Sequence, residues 1–210
     1  MPTERPAPAE PPRTADGDGF RFRAGRPSLD LCSTVLWRHV APVEQLERPE
    51  DLSRWLVGAG LWTGASAVSE SDLRAARSLR EALYGLFLAR IHGRPLAAGV
   101  PEGTADGIAV VNRAAARPDP APQLSADGEL RLLTGDQASA SLSAVARDGI
   151  DLLTGSLAGR LRECAADDCA FLFVDTSQPG RRRWCAHSRC GNRQNVRDHR
   201  ARQRRGGERT

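Results

Sequence analysis

The 210-residue chain reads as a mainly α fold, α+β with short hairpins: a helical N-terminal domain followed by a small treble-clef-like cysteine module. Three observations predict this. Capped segments with apolar residues at helical spacing fill most of the first 160 positions. An Asp127-Gly128 pair between alternating segments marks a hairpin. Two cysteine pairs of equal spacing, Cys164-x4-Cys169 and Cys185-x4-Cys190, stand fifteen residues apart near the C-terminus.

Residues 1–18 are rich in Pro, Ala and Glu and nearly devoid of large apolar side chains, so a disordered arm is expected. Phe20-Arg21-Phe22 alternates like a short strand. Ser28 is placed to cap a helix carrying Leu29, Cys32, Val35 and Leu36 on one side. Pro49 opens a helix to Gly58 with Leu52, Trp55 and Leu56 inward. The clearest helix begins at Ser69, whose Ser69-to-Asp72 run has capping-box character. Its stripe of Leu73, Ala76, Leu79, Leu83, Leu86, Phe87 and Ile91 ends before Gly93 and Pro95. A loop over 94–104 and a weaker helix around Ile108, Val111 and Ala115 follow. Prolines 118, 120 and 122 then break the chain before the hairpin over 123–133. From Ala138 an apolar set at helical spacing runs to Arg162, weakened by Gly149, Gly155 and Gly159, and delivers the chain to Cys164.

Four thiolates in two short pairs satisfy a tetrahedral zinc ion, and zinc binding supplies folding energy that so small a segment lacks. One structural Zn2+ held by Cys164, Cys169, Cys185 and Cys190 is therefore expected. Ala170 to Val174 alternates as a strand, Gln178-Pro179-Gly180 turns the chain, and Arg181 to Trp184 returns it as the partner strand. Phe171, Phe173 and Trp184 would form a miniature core. His187 and His199 lie near enough to substitute as ligands, but solvated positions suit them better. Cys32 falls on an apolar helix face and reads as a small core residue.

Beyond Cys190 a basic helix is expected to run to about Arg204. Arg189, Arg193, Arg197, Arg200 and Arg204 recur at steps of three or four, a cationic edge suited to a phosphate backbone. Arg181, Arg182 and Arg183 would add phosphate contacts from the finger. Gln194, Asn195, His199 and Gln203 could read base edges. Charge is partitioned accordingly. Residues 160–210 carry 13 Arg and 6 Asp/Glu, whereas the preceding 159 residues are net −3. An acidic body with a basic tail is the asymmetry expected when one end faces phosphate.

The segment from Arg160 to Arg204 resembles the CGNR zinc finger, named for the tetrapeptide found here as Cys190-Gly191-Asn192-Arg193. Phe173, Asp175 and Ser177 of a Phe-x-Asp-x-Ser run and Arg183-Trp184-Cys185 also match it. Such fingers follow a domain called ABATE, described as a stress-induced transcription regulator. Residues 19–155 resemble that domain more loosely: its Leu-Asp-Phe-x-Asn-Thr signature stands here as Leu29-Asp30-Leu31-Cys32-Ser33-Thr34. The Lys that usually follows Cys-Gly-Asn-Arg-x is Asn195. Composition and this resemblance together give four expected units: a disordered arm over 1–18, a helical regulatory domain over 19–159, the finger over 160–204 and a basic tail over 205–210.

No catalytic constellation is evident. Tyr84 is the single tyrosine, the four histidines have no ligand spacing among themselves, and a closed four-thiolate site lacks the open position of catalytic zinc. A non-enzymatic protein is expected. No apolar run reaches the ~18 residues of a membrane span, and the N-terminus lacks a secretory apolar core, so a cytoplasmic location is expected. The leading expectation is a zinc-containing, DNA-binding transcription regulator; stress response and a bacterial source go with that family. The alternative is a zinc-stabilised module that binds RNA or an acidic protein surface. Small DNA readers commonly pair on half-sites, so a homodimer is left open. An effector of the first domain would occupy its apolar interior, although no residue identifies one.

Overall fold

The computed structural model describes residues 19–62, 67–96, 106–118, 121–133, 136–197 and 203. The arm expected over 1–18, most of the 94–104 loop, His199, Arg200, Arg204 and the 205–210 tail lie outside them. Five α-helices and three two-stranded antiparallel sheets appear among the described residues before the last cysteine, and a short helix over 192–197 follows it. The helices are α1 (Pro27–Cys32), α2 (Pro49–Gly58), α3 (Glu70–Ile91), α4 (Gly107–Ala115) and α5 (Gln137–Thr154). The strands pair as β1 (Val35–Leu36) with β2 (Val43–Glu44), β3 (Ala121–Leu124) with β4 (Leu130–Leu133), and β5 (Leu161–Glu163) with β6 (Leu172–Val174).

Local chemistry sets the helix ends. Ser69 accepts from the Asp72 N–H while Asp72 accepts from the Ser69 N–H at 2.8 Å, closing the expected capping box of α3. Pro49 starts α2, and Asp51 accepts from the Glu47 and Arg48 N–H groups. Gly93 takes φ +64 just past α3, and Gly128 takes φ +80 in the β3–β4 turn. Helix α1 departs from expectation. Arg26 precedes its Pro27 start, and Ser28 turns its N–H and hydroxyl to Asp148 of α5 instead of capping. Val35 and Leu36 leave the helix for β1, and Phe20 to Phe22 form no strand.

Helices α1, α3 and α5 form the centre, where Leu29, Leu83, Phe87 and Val145 are fully buried. A Cβ at Gly149 would lie 2.4 Å from Leu83 Cδ2, so glycine permits the close crossing of α5 and α3. The polar layer between α3 and the β1–β2 hairpin is held by Arg80, 4% exposed. It donates to both Glu44 oxygens at 2.6 Å, to Glu81 at 2.7 Å and to Thr34 Oγ1 at 3.1 Å. Cys32, buried beside it with its thiol pushed up to about 12 by desolvation, is the core residue expected.

The path into the finger differs from the sequence expectation. Helix α5 stops at Thr154 rather than continuing to Arg162, because Gly155 leaves in an extended conformation. A 3₁₀ turn over Ala158–Arg160 then feeds β5. The partner of β6 is β5, not the Arg181–Trp184 segment, so the first cysteine pair lies inside the hairpin connection. Helical spacing through 161 concealed a three-residue strand whose partner is eleven positions away.

Candidate metal centre and its cationic surround

Two backbone devices present the four cysteines. Cys164 leaves β5 with its N–H donating to the Phe171 carbonyl at 3.0 Å, and a turn through the Cys169 N–H and Ala166 carbonyl (2.9 Å) folds the second sulfur back. The Ala165 N–H donates to the Arg183 carbonyl at 2.8 Å, which lays the returning segment against this loop and brings in Cys185. A π turn over His187–Gly191 carries Cys190 and runs into a helix over 192–197. A Cβ on Gly191 would meet the His187 ring at 3.2 Å and Trp184 at 3.4 Å, so the glycine lets that turn close.

The ligand atoms of Cys164, Cys169, Cys185 and Cys190 all lie within 4.8 Å of one another. Cys169 and Cys185 are 3.8 Å apart at sulfur, and Cys185 and Cys190 are 3.5 Å apart. Zinc–thiolate bonds of about 2.3 Å space tetrahedral sulfurs about 3.8 Å apart. No cysteine is disulfide-bonded, and these separations are far beyond the ~2.05 Å of an S–S bond. The four are in position to bind one zinc ion. Cys185 N–H donates to Cys164 Sγ at 3.4 Å and Arg193 to Cys190 Sγ at 3.3 Å, contacts that stabilise thiolate charge. Hydrogen bonding among the sulfurs lowers Cys164 to about 7 and holds Cys190 down, with Arg193 assisting, while Cys169 and Cys185 are pushed up. Metal binding therefore releases protons.

Asp175, of the Phe-x-Asp-x-Ser run, is the hub of the turn that follows β6. Its carboxylate accepts from Ser177 Oγ at 2.6 Å, Ser177 N–H at 3.0 Å and Arg182 N–H at 2.9 Å. The Ser177 bond leads in holding this carboxyl below its usual range, against burial, with the Arg182 N–H adding. Arg160 reaches the Ser177 carbonyl at 3.1 Å, beneath Gly180 at φ +62. Phe171 and Phe173 are buried and Trp184 is half-buried, but they join the body's core instead of forming a separate one. Glu163 ties the module further, lying 2.9 Å from His39 and 3.6 Å from His92.

The arginines expected to meet nucleic acid occupy different surroundings. Arg181 and Arg183 are exposed, Arg183 over Trp184. Arg182 stacks over Phe173 and donates to the Trp184 carbonyl at 2.8 Å. Arg193 contacts Asp168 at 3.3 Å and lies 5.4 Å from the Trp37 ring, while the exposed Arg197 reaches Asp168 at 3.0 Å. Arg189 and Gln194 are half-buried and Asn195 is exposed; His187 is exposed, edge-on to Trp184. Asp168, Trp37 and Arg21, all close to this helix, were missed in the sequence. Only Asp168, an acid beside a ligand cysteine in a basic module, carried a local signal.

A helical body fused through a short hairpin to a four-cysteine centre defines a zinc-finger protein. The first part, residues 25–156, matches the ABATE family, whose description is "putative stress-induced transcription regulator", and the chain belongs to that family. Residues 160–203 match the CGNR zinc finger. Both are regulator or zinc-finger types, not enzyme families. No curated protein matches the chain. Among the described residues no helix is long and apolar enough to cross a membrane.

Proposed function

We propose that this chain is a zinc-dependent transcription regulator that binds duplex DNA through its finger, residues 160–204, with the helical unit, residues 19–159, setting the finger's position. The supporting observation is a cationic surface built onto the metal centre: Arg181, Arg183, Asn195 and Arg197 are all exposed around it. Guanidinium groups there would hold phosphates, and Asn195 would offer an amide to a base edge. Arg182 and Gln194 belong to the same proposed surface, and Arg200 and Arg204, outside the described residues, are proposed as phosphate contacts from their spacing in the sequence. Arg193 differs: Asp168 engages both Arg193 and Arg197, but Arg193 is half-buried and also donates to Cys190 Sγ, so its part is to hold the helix against the zinc centre.

The finger is packed into the body's core, so a change in the helical unit has a direct mechanical route to that surface. A salt series on the zinc-loaded full chain with duplex DNA tests the reading. Replacing both Arg181 and Arg183 by Ala should lower the slope of log K against log salt by about 0.9 per lost phosphate contact. A slope unchanged by the double replacement contradicts it. Binding to RNA with no measurable duplex binding would favour the alternative module.

A further inference from the structure

A cavity of about 490 Å³ lies where the β1–β2 connection meets the finger. Its lining includes Trp37, Phe171, Val196, Arg21 and Arg189, and the ligand cysteines Cys169, Cys185 and Cys190 form the wall it shares with the metal centre. The volume falls within the roughly 300–1,000 Å³ of sites that take drug-sized molecules. Five arginines line the cavity against one carboxylate, Asp168. Even with a zinc–thiolate centre of formal charge −2 alongside, two positive charges remain in excess.

Two features of this wall point to a ligand. Arg21 is half-buried with its Nε out of reach of any acceptor, and no carboxylate pairs with Arg21 or Arg189 among the described residues. Burial first, and then the charges of Arg189 and Arg23, lower the Arg21 pKa, against the Cys169 and Cys185 sulfurs, which raise it. Trp37 takes φ +55, a left-handed conformation that a bulky side chain rarely adopts, and so turns its ring between Arg21 (5.9 Å) and Arg193 (5.4 Å). Strained backbone that positions an aromatic ring at the wall of a cation-lined cavity is the kind of outlier that marks a ligand site.

We propose that this cavity binds a small organic anion with a planar apolar body, an aromatic carboxylate in chemical class. Its carboxylate lies between Arg21 and Arg189 and supplies, in bidentate form, the carboxylate partner that neither has among the described residues. Its ring lies along Phe171 and Val196 and against the edge of Trp37. Because the site joins the body to the helix that leaves Cys190, such a ligand acts as an effector; that consequence, unlike the binding itself, rests on the DNA reading above.

Calorimetric titration of the zinc-loaded full chain, without DNA, with naphthalene-2-carboxylate and its neutral carboxamide tests the site. The carboxylate should bind at least about tenfold more tightly than the amide, as expected for a charge-assisted pair worth roughly 1.4 kcal/mol or more. Arg21→Gln should remove that preference. Val196→Trp, at a half-exposed wall position, should fill the cavity and abolish binding of both probes while zinc content stays at that of the parent. Equal affinity for the two probes, absence of heat at millimolar concentration, or binding indifferent to both substitutions overturns the proposal. DNA affinity is measured separately, so loss of either reading leaves the other standing.

Discussion

Gly149→Ala probes the packing that supports the whole body. The added Cβ would sit 2.4 Å from Leu83 Cδ2 and 3.6 Å from Ser28 Cβ. Carbon atoms in contact prefer about 3.5–4.0 Å, so the first approach is more than 1 Å too close. Leu83 is 0% exposed and cannot swing into solvent. Overpacking of this kind costs about 1–3 kcal/mol, and the alanine returns about 1 kcal/mol in helix propensity. A net loss of about 0–2 kcal/mol follows, or a few degrees in Tm. The sharper test is a double-mutant cycle. Leu83→Ala alone should cost about 2–5 kcal/mol through the cavity it leaves. In that background the Cβ at 149 no longer clashes and occupies part of the void, so Gly149→Ala should become stabilising by about 1 kcal/mol. Denaturant unfolding of the four zinc-loaded proteins measures the cycle. The same effect of Gly149→Ala in both backgrounds refutes the α3–α5 contact as the reason for glycine.

Burial pushes the Asp30 carboxyl up to about 6, against the Arg23 and Ala24 N–H groups that favour its charge. The folded state thus prefers the protonated form: that stabilisation is complete below the unfolded value near ~3.9 and lost as pH rises through about 6. Asp30→Asn should leave stability at pH 4 little changed and raise it at pH 8 by up to about 3 kcal/mol, read by denaturant midpoints; a uniform loss at both pH values contradicts the assignment. Asp175 has the opposite sign, its carboxyl held low chiefly by Ser177, so its contribution is present above ~3.9 and fades as pH falls through the lower folded value. Asp175→Asn should weaken zinc affinity about tenfold at neutral pH in a chelator competition, and parental affinity would remove Asp175 as organiser of the Cys185 segment. Elemental analysis should find one zinc per chain, lost in Cys169→Ala; stoichiometric zinc in that variant would contradict the four-thiolate set.

Where a boundary is written in side-chain chemistry, the sequence disclosed it. Pro49 and Asp51 begin α2, Ser69 and Asp72 begin α3, and Asp127-Gly128 marks the β3–β4 turn, each through hydrogen bonds or φ values confined to a few neighbouring residues. The metal ligands were legible for the same reason: two x4 spacings fix two local loops, and zinc chemistry supplies their meeting. Non-local pairing was not legible. Leu161 to Glu163 carry no alternation strong enough to outweigh helical spacing, and only β6 makes them a strand. Ser28 looked like a cap because Asp148, 120 positions away, cannot be seen from the first helix. The cavity was hidden more deeply still, since the Arg21 segment, the Trp37 connection and the finger helix meet only in the folded chain.

Selection of random duplex DNA by the zinc-loaded full chain, at about 0.15 M salt where diffuse phosphate attraction is screened, tests the central claim most directly. The account predicts enrichment of a shared sequence, lost when zinc is removed. Recovery of no sequence above background, with the zinc centre intact, would contradict it.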